Sequence, residues 1–465
     1  MNTDGYKKAF RMLTSLFFMW GFITVSNDTL INTFKSIFDL SPVQRSLVQF
    51  SFFGAFGIIS AIYFFISSTS HSDPLNKIGY KRGMSISLAI CGIGCLLFYP
   101  SGLMESYPAF LVSLFVLASG VTCLQICANP YAAILGDPQT SSSRLNLAQG
   151  LNSLGTTLGP FIGGLMIYKI FSDGNASIES VSTTYVIYGF VFLALSMLVA
   201  NSKMPTFVNP EKIESGFAVL KNKHLSLGML AIFFYVGSEV SVGSWLVEYI
   251  KQENIMGLEE SAANYFLSWF WGGLMIGRLM ASISLNAENS RAAKLFKMAV
   301  TSVLVFLFIY FVTSIKKDSG SFTLEWMSFE EIWIYILYLG LNYVAFAFAG
   351  SNAARSLVVF CSINAVLLLI AIVGSGEVAF WSLIGTGLFF SIGWSNIFTL
   401  AIKDLGKYTS QGSSLLIFMI IGGAFIPLLQ SMFIESRGVQ FSFVIPLLGL
   451  AYLIYYGLQG YKIKA

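Results

Sequence analysis

Charge is scarce in this sequence. Only 11% of its 465 residues are Asp, Glu, Lys or Arg, against 55% hydrophobic and 15% aromatic. A soluble chain carries roughly a quarter charged residues, so this one cannot cover a water-facing surface and is built for lipid. Histidine is limited to His71 and His224, both at expected span ends and neither assigned a role. The five cysteines, Cys91, Cys95, Cys123, Cys127 and Cys361, all lie inside apolar runs. Neither C-x-x-x-C pair has a His or carboxylate at ligand spacing, so they read as small buried hydrophobes rather than metal ligands or a disulfide framework. No nucleophile–base pair, phosphate loop or metal cluster is present, which argues against a membrane enzyme and calls for no cofactor.

What the chain does have is apolar runs of about 20 residues, the length that crosses a bilayer's hydrocarbon core. Six lie near 12–36, 46–68, 83–100, 107–135, 145–170 and 183–201, and eight near 224–249, 262–284, 295–315, 329–349, 355–374, 378–401, 411–433 and 440–460. The expectation is an all-α membrane protein of about 14 spans. Its domains would be an N-terminal six-helix bundle (1–202), a cytoplasmic linker (203–223), and a C-terminal bundle (224–465) that includes a helical hairpin at about 290–350. The start, MNTDGYKKAFRM, is basic and runs straight into a span with no small-residue cleavage site. That predicts a first transmembrane helix rather than a removed signal peptide.

Loops assigned alternately from a cytoplasmic N-terminus place 20 of the 27 Lys and Arg residues inside. Both termini then face the cytoplasm, across a cell inner membrane. The formal charge of +4 is thereby explained as orientation and needs no nucleic-acid partner.

One carboxylate, Asp28, sits inside the first span, in WGFITVSNDTLIN. An ionisable group at membrane depth costs roughly 2.5–3.5 kcal/mol on insertion scales, so it marks a functional site by default. Thr24, Asp28 and Asn32 repeat at i, i+4, i+8 and give this helix a polar stripe; capping a helix break, or being held by neutral donors, is the competing role for Asp28. The second block opens in the same way, with Glu239, and each opening span is followed by a Phe/Trp/Gly-rich one. Two related bundles with a site at their interface are the recurrent plan of secondary transporters.

Amides supply the strongest constellation. Gln125 and Asn129 share a helix face just before Pro130, which removes a backbone hydrogen bond, while Asn146, Gln149 and Asn152 repeat every three residues. Amides both donate and accept, which suits the hydroxyls of an uncharged polyol; helix–helix hydrogen bonding is the alternative. Asn27, Asn396 and the aromatic Trp269 complete the candidate ligand set, although aromatic residues in spans also serve as packing. Beside Glu239 lie Ser238, Ser241 and Ser244, a hard-oxygen set that would also suit Na+ near Glu239 and Ser241.

Together, Asp28, ANPY at 128–131, RLNLAQGLNSLG at 144–155, YVGSEVSVGSWLV at 235–247, WGGLMIGR at 271–278 and SQGSSLLIFMIIGGAFIPLLQ at 410–430 closely resemble the fucose permease family of the major facilitator superfamily, in its glucose/galactose transporter branch. The resemblance covers the chain apart from about 290–350. It implies a twelve-helix core, here enlarged by the inserted pair, alternating access, and uptake of a hexose driven by a cation gradient. Asp28 matches the family's first-span protonation site, while the second position is Gln125 here, so a two-carboxylate relay is in question and Glu239 becomes the second coupling candidate.

Arg278 reads as a conformational latch at the cytoplasmic edge, with Arg144, Lys81 and Arg82 as further gating residues. The loop between the second and third spans keeps the family's basic half and not its glycine half. In the tenth-span segment this chain has FFSIGWSNIF at 389–398, where Ser395 and Phe390 replace an expected proline and asparagine. The inserted pair carries no buried charge and reads as a peripheral, lipid-facing or oligomer-contact hairpin. The expectation is therefore a monomeric sugar symporter coupled to H+ or Na+, its partners a small-molecule sugar and the bilayer. Fucose or N-acetylglucosamine is an alternative substrate, and a sugar sensor that transports nothing is the alternative class.

Overall fold

The computed structural model describes residues 3–38, 40, 42–70, 73–172, 176–205, 217–258, 260–286, 290–318 and 321–463. Side chains at 3–5, 27–29, 31–32, 35–36, 42–43, 45–46, 49, 160–161, 168–169, 260–262, 264–265, 316–318 and 321–322 fall outside that description. Helices dominate, because a bilayer core offers no water and a helix satisfies its N–H and C=O groups within its own segment. The first half runs α1 (Thr3–Phe38), α2 (Pro42–Thr69), α3 (Pro74–Ile78), α4 (Tyr80–Leu96), α5 (Phe98–Leu103), α6 (Tyr107–Ile134), α7 (Ser141–Leu165) and α8 (Ile178–Asn201). Then come α9 (Lys223–Ile250), α10 (Glu260–Ser284), α11 (Arg291–Ser314), the antiparallel strands β1 (Ile315–Asp318) and β2 (Ser321–Leu324), and α12 (Phe329–Ala349). The chain closes with α13 (Ala353–Val373), α14 (Gly376–Phe390), α15 (Gly393–Ala401), α16 (Thr409–Phe418), α17 (Gly422–Arg437), α18 (Val439–Ser442) and α19 (Val444–Tyr455).

Among the described residues, 13 stretches are helical, long and apolar enough to cross a bilayer. The span expected at 145–170 is also helical, as α7 and a π-helical turn at Met166–Ile170, although its first half carries amides in place of aliphatics. The protein is an all-α, multi-pass membrane protein. Most of the expected linker, 206–216, lies outside the described residues.

The chain divides into two compact units, the first comprising Met1–Gly136, Leu154–Asn222 and Ile402–Ile421. Gly155 and Gly159, one turn apart on α7, let α1 approach until a Cβ at 159 would lie 2.8 Å from the Phe22 carbonyl oxygen. Such small-residue pairs are how membrane helices reach close contact. Cys91, Cys95 and Cys127 are buried and unpaired where α4 and α6 pack.

In the α2–α4 loop the buried Asp73 carboxylate accepts from Tyr63 Oη (2.5 Å), Ser67 Oγ (3.1 Å) and Leu75 N (2.8 Å). Followed by Pro74, it is the N-cap that starts α3. The same loop ties to the 402–421 segment, through Asn76 Nδ2 to Lys407 O (3.1 Å) and Tyr80 Oη with Ser410 Oγ (3.0 Å).

The second unit comprises Asp137–Ser153, Lys223–Ala401 and Gly422–Ala465. Within it α9 packs against α15, α17 and α19. Ser238 Oγ donates to Pro446 O (3.2 Å) and Ser241 Oγ to Gln430 Oε1.

The inserted pair α11–α12 presents Phe296, Leu304, Phe311, Leu337 and Phe348 outward, an apolar face that suits lipid or a second copy alike. Its inner face is anchored by polar bonds. Tyr335 Oη donates to Trp269 O (3.2 Å), Tyr338 Oη pairs with Ser382 Oγ (2.8 Å), and Asn342 Nδ2 donates to Leu388 O (2.9 Å).

Candidate functional site

The site is organised by a break in one span. Between α14, ending at Phe390, and α15, starting at Gly393, the helix is interrupted, and a broken helix leaves carbonyls without their usual N–H partners. Three other helices supply donors to this stretch. Asn342 of α12 donates to Leu388 O, Tyr235 Oη of α9 to Phe390 O (2.9 Å), and Arg278 Nε of α10 to Ser391 O (3.2 Å). Gly393 gives the Tyr235 ring its place, since a Cβ there would overlap the ring. Discontinuous helices whose unwound backbone meets side chains from neighbouring spans are how transporter sites are commonly built.

Arg278 does more than cap the break. Its Nη2 lies 3.4 Å from Glu239 Oε1, and its Nη1 donates to Ser153 Oγ of α7 at 2.7 Å. Both charged residues are buried, Glu239 at 8% exposure and Arg278 at 9%. One planar guanidinium thus spreads its donors over a carboxylate, a hydroxyl and a backbone carbonyl, which only Arg can do. The span expected at 262–284 is observed as α10, Glu260–Ser284. The Arg278 guanidinium lies within the helix's length and must be compensated by protein.

Close by in sequence, the amide of Asn146 donates to Asn396 Oδ1 (3.1 Å) and to Ser142 O (2.8 Å), joining α7 to α15. Ser142 Oγ and Thr399 Oγ1 meet at 2.7 Å on the same contact. Among the described residues, Asn146 Oδ1, Trp394 Nε1 and Ser395 Oγ are buried without a hydrogen-bond partner. Buried polar atoms are almost always satisfied, so three unpaired ones on two touching helices suit a polar ligand or water.

Other candidates fall elsewhere. Gln149 and Asn152 are buried on the Asn146 helix, whereas Gln125 and Asn129 belong to the first unit, where Asn129 Nδ2 donates to Gln125 O (3.1 Å). The Trp269 ring is packed among Phe306, Tyr310, Tyr335 and Trp381, so its neighbours are the inserted pair and α14 rather than Asn146 or Asn396. Ser241 is turned to α17 by its bond to Gln430, while Glu239 faces α10. Lys81 Nζ donates to Ser202 O (2.8 Å) at the end of α8, Arg144 holds the Asp137–Thr140 turn through Asp137 O (2.7 Å), and Arg82 is exposed. The side chains of Asn27 and Asp28 lie outside the described residues.

Sequence reading did not single out Ser153, Ser391, Asn342 or Asp73. Only Asp73 carried a local signature, the Asp-Pro of a helix start.

A profile described as Major Facilitator Superfamily matches residues 72–359. The chain is 36% identical to the glucose/galactose transporter of Brucella abortus biovar 1 (strain 9-941), over 99% of this chain and 96% of that one. It is 26% identical to the L-fucose-proton symporter of Escherichia coli (strain K12), over 94% and 89% of the two chains. Its fold is similar to the crystal structure of FucP, a Major Facilitator Superfamily transporter in the outward conformation, with a TM-score of 0.75, 25% identity, and coverage of 98% of this chain and 99% of that one. With this length of alignment and the shared fold, the chain belongs to the Major Facilitator Superfamily, in its fucose permease-like family.

Proposed function

We propose that the protein is a secondary active transporter that imports a hexose by symport with a proton. The observation that carries this reading is the broken span at 390–393, with the buried Glu239–Arg278 pair on one side of its sequence and the unpaired polar atoms of Trp394 and Ser395 on the other. Relatives named as glucose/galactose transporters and as fucose-proton symporters support the substrate class and the coupling ion.

In this reading Asn146, Asn396, Trp394 and Ser395 bind sugar hydroxyls, with Gln125, Asn129, Gln149 and Asn152 as further amide ligands on their own helices. Asp28 carries the coupling proton. Glu239 is held by Arg278 and releases it when the loaded state forms, so that occupancy biases the two-state equilibrium between access to either side. The protein works as a monomer in the inner membrane with both termini in the cytoplasm, in keeping with the excess of Lys and Arg on that side.

Uptake of labelled glucose into proteoliposomes tests this, with a pH gradient or a Na+ gradient imposed alone. Accumulation driven by the pH gradient is expected. Accumulation driven only by Na+ would overturn proton coupling. Binding without flux, across a panel of hexoses and amino sugars that includes fucose and N-acetylglucosamine, would make the protein a sensor and overturn transport.

A further inference from the structure

A cleft of about 340 Å3 opens where the inserted pair meets α10, bounded by the end of α10, the start of α11 and the end of α12. Ser284, Arg291, Lys294, Met298, Phe346 and Ser351 line it, and among the described residues no carboxylate does. Its walls are fixed by hydrogen bonds. Ser284 Oγ donates to Gly350 O (3.2 Å), Ser351 Oγ to Ser284 O (3.2 Å), and Tyr343 Oη clamps α12 onto α11 through Leu295 O (3.1 Å). Lys294 Nζ reaches across to Ser351 Oγ, and Arg291 stands exposed one turn before it on α11.

Two chemistries meet here. Two cations and two hydroxyls share the lining with Met298 and Phe346, and Phe348, 71% exposed, adds to its apolar surface. Positive alternation of the loops puts Arg291 and Lys294 on the side where basic residues are in excess, the side on which pockets between transmembrane helices take anionic headgroups.

From this geometry we infer that the cleft holds the phosphodiester headgroup of an anionic phospholipid, its phosphate between Arg291 and Lys294 and an acyl chain along Phe348. A free phosphate shares the anionic chemistry but has no use for the apolar wall. The site gives the inserted pair a task independent of sugar transport: it pins the hairpin at the membrane interface.

The test is native mass spectrometry of the intact protein purified from vesicles of phosphatidylglycerol mixed with phosphatidylcholine. The wild type is expected to retain phosphatidylglycerol preferentially, and Arg291→Ala with Lys294→Ala to lose that preference by about fivefold for each charge removed. Arg291→Lys should keep it. Ala347→Trp, which narrows the cleft without touching charge, should lose it even if the double variant proves unstable. Unchanged retention in both altered proteins would mean bulk lipid only and would overturn the assignment, as would displacement of the retained lipid by millimolar inorganic phosphate.

Discussion

Replacing Arg278 with Met should destabilise the protein, and replacing Glu239 with Gln in the same chain should give part of that loss back. Arg278 holds three acceptors: Glu239 Oε1 at 3.4 Å, Ser153 Oγ at 2.7 Å and Ser391 O at 3.2 Å. Breaking a buried ion pair by removing one partner typically costs about 3–5 kcal/mol, because the remaining charge is left uncompensated. A carbonyl left buried and unpaired, as at Ser391, accounts for about 1–3 kcal/mol of such a loss. Glu239→Gln removes the stranded charge and not the stranded carbonyl, so the double variant should recover about 2 kcal/mol, the difference between the two figures. The assay is thermal unfolding in detergent of wild type, both single variants and the double, read as a double-mutant cycle. A coupling energy near zero, with the two single losses simply adding in the double variant, would refute the claim that Glu239 and Arg278 compensate each other.

Asp28→Asn is expected to abolish accumulation driven by a pH gradient while leaving sugar exchange across the proteoliposome intact; undiminished accumulation would remove Asp28 from the coupling step. Gly159→Val should cost about 1–3 kcal/mol, because the added atoms meet the Phe22 carbonyl of α1, and an unchanged unfolding temperature would refute that approach. Burial pushes the Asp73 carboxyl above its ordinary value, against the opposing pull of its bonds to Tyr63, Leu75 and Ser67. The native state then binds that proton more tightly than the unfolded state, so this group's contribution to stability is fully present below about pH 4 and is lost as pH rises through the raised native value. Asp73→Asn keeps the helix cap and should flatten that decline in thermal scans taken from pH 4 upward. A variant with the wild-type slope would exclude Asp73 as its source.

Hydropathy made the spans legible because a bilayer allows so few backbone arrangements that length and apolarity nearly determine them. Even α7 was readable, its amides following Arg144 at regular spacing, despite a polarity that leaves it outside the 13 stretches apolar enough to cross a bilayer by composition. Hydropathy locates a span but not depth within it. The span expected at 262–284 nearly coincides with α10, Glu260–Ser284, yet its hydropathy does not show that Arg278 is buried there with three acceptors around it. Pairing is still less readable: Glu239 and Arg278 are 39 residues apart, and nothing local to either names the other.

The serines beside Glu239 show the same limit from another side. Residues 239 and 241 lie about 200° apart around a helix, so a list of nearby hydroxyls is not a coordination shell, and Ser241 serves Gln430. The break at 390–393 was not read from the sequence, where 378–401 stands as one span. Ser-Ile-Gly is not a strong helix stop, and the Asn342, Tyr235 and Arg278 donors that stabilise its carbonyls come from three other spans. What the chain tells locally is where a charge or amide is unusual. What that group does depends on which of the other helices brings it an acceptor, and for Arg278 that is α7, α9 and α14's end at once, so a change in any of those contacts must be felt by the other two.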